Sequence, residues 1–167
     1  MVGDPDLDDP KALDKIAGDA VASEKLQQRG PDGEELSYAP NSQIPYTGWV
    51  KSMYENGQVK TLTHCKDGKP DGLWTWWHEN GQKSWEQTYK DGKWDGLVTE
   101  WYENGQKRSE ANWKDGKLWT VVVWKPNGEK CPVTKIDKDG NGVEVYYNLD
   151  GKESSRYTWR NGEMVSD

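Results

Sequence analysis

The chain has 167 residues, enough for one ordinary domain, and a formal charge of -7 with no acidic or basic block. That balance argues against nucleic acid and anionic membrane as main partners, since both reward a clustered positive patch, and no stretch is long and apolar enough to span a bilayer. With 11 Trp, 8 Tyr and no Phe, every large ring carries a polar handle, which suits a sheet whose faces are half wet.

Residues 1–8 are expected to form a disordered tail. Met1-Val2-Gly3-Asp4 lacks the charged and apolar regions of a secretory signal. The compartment therefore stays open between the cell envelope or exterior, if a signal has been removed, and the cytoplasm. Residues 9–30 read as an amphipathic helix, with Asp9 as cap, Pro10 at the first helical position and Gly30 at the end. Leu13, Ile16, Ala17, Ala20 and Val21 fall on one stripe at helical spacing. The stripe is expected to pack on a sheet or cover its first edge strand, the alternative being a helix presented to a partner. Residues 31–47 contain Pro31, Pro40 and Pro45 and read as a connector with one short strand at most.

From residue 48 to 167 the chain repeats with a period of 24. Glu55-Asn56-Gly57 recurs as Glu79-Asn80-Gly81 and Glu103-Asn104-Gly105. Lys66-Asp67-Gly68 recurs as Lys90-Asp91-Gly92 and Lys114-Asp115-Gly116, and Gly48, Gly72 and Gly96 make a third column. The pattern continues loosely as Asn127-Gly128, Asp139-Gly140, Asp150-Gly151 and Asn161-Gly162. Asn-Gly and Asp-Gly favour two-residue type I′ turns, in which both central residues take positive φ, so each pair is expected to close a hairpin. The segments between, such as Leu73-Trp74-Thr75-Trp76-Trp77, are rich in aromatic and β-branched types.

The predicted fold is mainly β: a single-layer, twisted antiparallel β-meander of tandem hairpin repeats with one N-terminal helix, forming one folding unit. Residues 24 apart occupy equivalent positions. Met53, Trp77 and Trp101 therefore share a column, as do Cys65, Tyr89 and Trp113, Tyr54, His78 and Tyr102, and Val50, Trp74 and Val98.

The stretches Tyr54-Glu55-Asn56-Gly57-Gln58 and Tyr89-Lys90-Asp91-Gly92-Lys93 carry a resemblance to the MORN-repeat variant family of bacterial proteins. It covers residues 46–118 closely and 119–162 in degraded form. The resemblance implies a hairpin-repeat fold and no particular chemistry. Members are often labelled antitoxins of the YwqK type, or surface and envelope repeat proteins, and eukaryotic relatives look like scaffolds for protein or phospholipid contacts. The chain departs from the pattern at Thr120, where the next bend glycine would fall.

Groups suited to catalysis are sparse. His64 and His78 lie in different columns, and no Ser, Cys or Asp stands beside a base at a repeated spacing, so no enzyme and no cofactor are expected. Cys65 and Cys131 have no metal-ligand spacing and read as reduced, half-buried thiols. Asp137, Asp139 and Asn141 resemble the first half of a calcium loop, but the twelfth position is Asn148 where a bidentate Glu is needed.

A one-layer sheet leaves rings exposed, and the expected contact surface is Trp74, Trp76, Trp77, Trp85, Tyr89, Trp101, Tyr102 and Trp113. The leading reading is a protein-interaction scaffold. Carbohydrate or cell-wall binding by the same rings, or a structural spacer in a longer envelope protein, are the alternatives.

Overall fold

The computed structural model describes residues 5–165. The fold is mainly β, an open antiparallel meander of consecutive hairpin strands with one α-helix. The chain divides into two compact units. The first runs to Gly81 and takes in Tyr89–Gly92; the second holds Gln82–Thr88 and everything from Lys93 on.

In the first unit, helix α1 spans Pro10–Asp19. The Asp9 carboxylate accepts from the Lys11 amide at 3.0 Å, and Pro10 sits where a missing N–H costs nothing. The helix stops well short of Gly30. Gly18 and Asp19 are poor helix formers, and Ala20 turns to extended backbone. The residues beyond gain ladder bonds instead: β1, Val21–Ala22, pairs in parallel with β4, Gly48–Met53, and so covers the first edge of the sheet. After a 3-10 turn at Ser23–Lys25, β2 (Gln27–Arg29) pairs with β3 (Leu36–Tyr38), which is the short strand of the connector.

The expected disordered tail also differs. Residues 1–4 lie outside the described residues, whereas Leu7 is buried with Ala20, Leu62 and Trp77, and Leu13 and Ile16 of α1 pack on that cluster. An apolar anchor holds this segment down.

Strands β5 (Val59–Lys66) and β6 (Lys69–Trp77) continue the meander, and β7 spans Lys83–Lys90. In the second unit β8 (Lys93–Trp101), β9 (Lys107–Lys114) and β10 (Lys117–Val123) follow as antiparallel neighbours.

The last strands do not lengthen this ladder. β11 (Lys135–Ile136), β12 (Gly142–Tyr147), β13 (Glu153–Arg160) and β14 (Glu163–Val165) form a separate four-stranded sheet. Its Val145 and Trp159 share one buried cluster with Val98, Ala111, Leu118, Val121 and Val123. The second unit therefore has an apolar core between two sets of strands, where one layer is expected. This sheet follows the point where the repeat breaks: Thr120 stands where Gly72 and Gly96 take φ of +91 and +107, and Pro132 lies between β10 and β11.

The two kinds of turn also divide. Asp67, Asp91 and Asp115 take φ of 49, 51 and 51, each followed by a positive-φ glycine, so these three pairs adopt the expected two-residue turn, as does Asn161-Gly162 with Asn161 at φ 51, whereas Asn127, Asp139 and Asp150 stay out of positive φ. Asn56, Asn80 and Asn104 do not enter positive φ; only their glycines do. These loops have three residues, and their closing bonds run from the Tyr54 amide to the Gln58 carbonyl (2.8 Å) and from the Gly57 amide to the Tyr54 carbonyl (3.0 Å). This is a type I turn followed by a glycine bulge. The Asn56 side chain keeps it so by accepting from the Gln58 amide at 3.0 Å, as Asn104 does from Gln106.

Candidate binding cleft

Strand alternation sorts the rings of each unit into faces. In the first unit Leu73, Thr75 and Trp77 of β6 point to the face covered by α1. Trp77 is only 5% exposed, against Leu62 and Ala20. Trp77 is thus a core residue and not the exposed anchor expected of it. On the opposite face Trp74 and Trp76 stack with centroids 4.4 Å apart and planes at 11°, and Tyr89 lies 5.5 Å from Trp74. These three expected contact residues are brought together, each half-buried. The Trp74 indole N–H is buried without an acceptor.

In the second unit Tyr102 is also buried, at 5% exposure. Its hydroxyl donates to the Trp124 carbonyl at 2.9 Å and to that of Tyr147 at 3.3 Å. Tyr54, its repeat equivalent, donates in the same manner to the Trp77 carbonyl at 2.7 Å. The two tyrosines of this column spend their hydroxyls on fastening strands together. Trp101 is half-buried.

Trp85 and Trp113 line a cleft of about 590 Å³ within the second unit, together with Trp94 and Trp159. The rings follow one another at steep angles. Trp85 and Trp94 meet at 57°, Trp94 and Trp113 at 82° with centroids 4.5 Å apart, and Trp113 and Trp159 at 79° and 5.6 Å. Edge-to-face contacts of this kind hold aromatic rings in fixed orientations. Trp85 is further fixed by its N–H, which donates to buried Gln87 at 2.8 Å. Tyr157 and Met164, both exposed, stand at the rim.

Charged groups share the cleft. Glu144 is 5% exposed, and its two oxygens accept from the Tyr146 hydroxyl at 2.7 Å and the Trp159 N–H at 3.0 Å. Burial raises its pKa above the ordinary carboxylate value, and those two hydrogen bonds pull it part of the way back. Burial beside that carboxylate likewise drives the Tyr146 hydroxyl well above its usual range. Arg108 pairs with Glu100 and lies over the Tyr146 ring at 4.7 Å. Its Nε is buried without an acceptor.

Trp94, Glu144, Tyr146 and Trp159 are the residues that the sequence reading missed. Trp94 shares its column with Pro70 and Leu118, so no aromatic periodicity marks it. Trp159 follows the broken part of the repeat. The alternation Glu144-Val145-Tyr146 was the available signal, since it places a carboxylate on the face of an aromatic ring.

The other polar candidates are accounted for locally. His64 packs edge-on against Trp49 at 5.3 Å. Cys65 is buried, and desolvation pushes its thiol up to about 11. Cys131 contacts the Tyr147 hydroxyl at 3.2 Å, a contact that, with desolvation, lifts the Tyr147 pKa to about 12. The Asp137 carboxylate turns into its own loop and accepts from the amides of Asp139 and Asn141 at 2.9 Å each. A carboxylate engaged by N–H donors is poorly placed for calcium. Among the described residues no group of three or more His, Cys, Asp or Glu is arranged to hold a metal.

The paired Asp-Gly turns and bend glycines recur together from Gly48 to Gly116. Residues 70–91 and 94–115 match the model of the MORN repeat variant family. No curated protein matches the chain. These two consecutive MORN-variant repeats supply Trp85, Trp94 and Trp113, three of the four indoles of the cleft. Repeats of this family are modules of binding or structure.

Proposed function

We propose that the protein is a non-catalytic interaction module that binds a partner protein through the tryptophan-lined cleft of its second unit. The observation that carries this reading is four indoles gathered in one concave site of about 590 Å³ with an exposed aromatic rim. Rigid Trp and Tyr side chains give large contact area at low entropic cost, and they dominate binding when fully desolvated. The surface proposed from sequence thus narrows to Trp85 and Trp113, with Trp94 and Trp159 added; Trp77 and Tyr102 act inside the fold.

The test is affinity capture from the native cell with the wild type and with a Tyr157→Ala, Met164→Ala double variant. Both substitutions lie on the rim and leave the core intact. Loss of a specific protein from the variant's eluate is the expected result, and recovery of the same proteins by both forms would sink the proposal. Envelope polysaccharides in a tryptophan-fluorescence titration provide the control for a saccharide ligand, which is expected to leave the emission unchanged.

A further inference from the structure

Among the described residues Glu144 is a buried carboxylate without an ion-pair partner, the cation nearest in effect being Arg108, which is already engaged by Glu100. Four charged side chains line the cleft: Glu100, Arg108, Glu144 and Glu163. Arg108 is paired with Glu100, and Lys117 with Glu163 at 3.0 Å on the exposed rim. Glu144 receives two neutral hydrogen bonds, while no Lys, Arg or His among the described residues lies within ion-pair distance of it. Ionising a carboxylate this deeply buried is destabilising unless a cation pairs with it. Its surroundings are the indole walls of the cleft, whose faces attract cations. The net charge of the lining groups is negative, as is that of the whole chain at -7.

We infer that the cleft recognises a lysine side chain of the partner protein, its ammonium group lodged among the tryptophans and neutralising Glu144. This rests on the cleft being the binding surface and adds the chemistry that occupies it. The aliphatic stem of lysine packs on the indole walls while its head supplies the missing positive charge.

The test uses the full chain and two capped tripeptides, acetyl-Gly-Lys-Gly-amide and its norleucine counterpart, which keeps the stem and lacks the ammonium. Binding is followed by tryptophan emission at constant ionic strength. The lysine peptide is expected to bind with a millimolar Kd and the norleucine peptide about tenfold more weakly or worse. Glu144→Gln is expected to remove that preference, with its thermal melt confirming that it is folded. Should that variant fail to fold, Tyr157→Ala at the exposed rim serves instead, and it is expected to weaken the lysine peptide while leaving the melt near the wild-type value.

Equal binding of the two peptides would overturn the lysine assignment while leaving the cleft a binding surface. Choline chloride binding where the lysine peptide does not would also overturn it, in favour of a small quaternary ammonium ion. Binding of neither peptide would overturn it as well, and the rim-variant capture would then decide the fate of the cleft separately.

Discussion

The two units bury equivalent strands of the repeat, β6 and β8, differently. In the first, Leu73 and Trp77 of β6 join the cluster beneath α1, while Trp74 and Trp76 look the other way. Twenty-four residues later the burial differs, although Thr75 and its equivalent Thr99 are buried in both units. Val98, the equivalent of Trp74, is 4% exposed in the core with Val145 and Trp159, and Leu97, the equivalent of Leu73, is 47% exposed. The repeat therefore specifies a strand with two apolar faces and leaves the choice of core to its neighbours, a helix in one unit and the β11–β14 sheet in the other. Residues that look alike in a column need not share a role, and a column cannot be assigned to a binding surface as a whole.

The sharpest way to break this comparison is to truncate one column in both units. Trp77→Ala is expected to cost about 3–5 kcal/mol in denaturant unfolding, as for a fully packed indole, and Trp101→Ala about 1–2 kcal/mol. Equal losses would show that the two positions are buried alike. A second test concerns the broken end of the repeat. A Cβ at Gly140 would stand 2.4 Å from the Gly162 amide nitrogen, at a φ of +77, so Gly140→Ala must displace backbone. A loss of about 2–3 kcal/mol is expected in the second unit. A melt unchanged from the wild type would refute the close approach of these two turns.

Much of the fold could be read because its signals are local. Asp67-Gly68 and its repeats carry the backbone preference of their turn in two residues, and the period places every hairpin of the regular part. The loops at Asn56, Asn80, Asn104, Asn127, Asp139 and Asp150 were misjudged because an Asn-Gly or Asp-Gly pair looks the same in either turn type. The outcome is set by the Asn56 side chain capping an amide two residues on, a bond that shows only in three dimensions. The helix was overextended because the stripe from Leu13 to Val21 is apolar either way; pairing of Val21 with Val50, a non-local gain, ended it. The cleft was half legible. Trp85 and Trp113 belong to repeats, but Glu144 and Trp159 reach them only through the separate sheet, and no local pattern foretells which face that sheet covers.

The role of the tyrosine column is open to a smaller perturbation. Tyr102→Phe keeps the ring and deletes the hydroxyl that bonds to the carbonyls of Trp124 and Tyr147. A loss of about 1–1.5 kcal/mol is expected in urea unfolding. No loss would mean that the column stabilises through its rings alone.

The smallest expected effect is the one that bears on the cleft. Because burial raises the folded-state pKa of Glu144 above its ordinary 4.5, the folded protein holds this proton more tightly than the unfolded chain does. Its stabilising contribution is complete below the unfolded value and is lost as pH rises through the folded one. Like the protonated acid, the Glu144→Gln side chain keeps one acceptor oxygen, for the Trp159 N–H, and turns a donor toward the Tyr146 hydroxyl, but it has no proton to lose. The variant is therefore expected to match the wild type near pH 4 and to be more stable by about 1 kcal/mol at neutral pH. Thermal melts of both forms across this range read the difference directly, and a gap that narrowed as pH rose would mean that the ionised carboxylate is already stabilised within the fold. In that case the cleft would have no unmet negative charge to offer, whereas a gap that opens with pH measures the cost that a bound cation relieves.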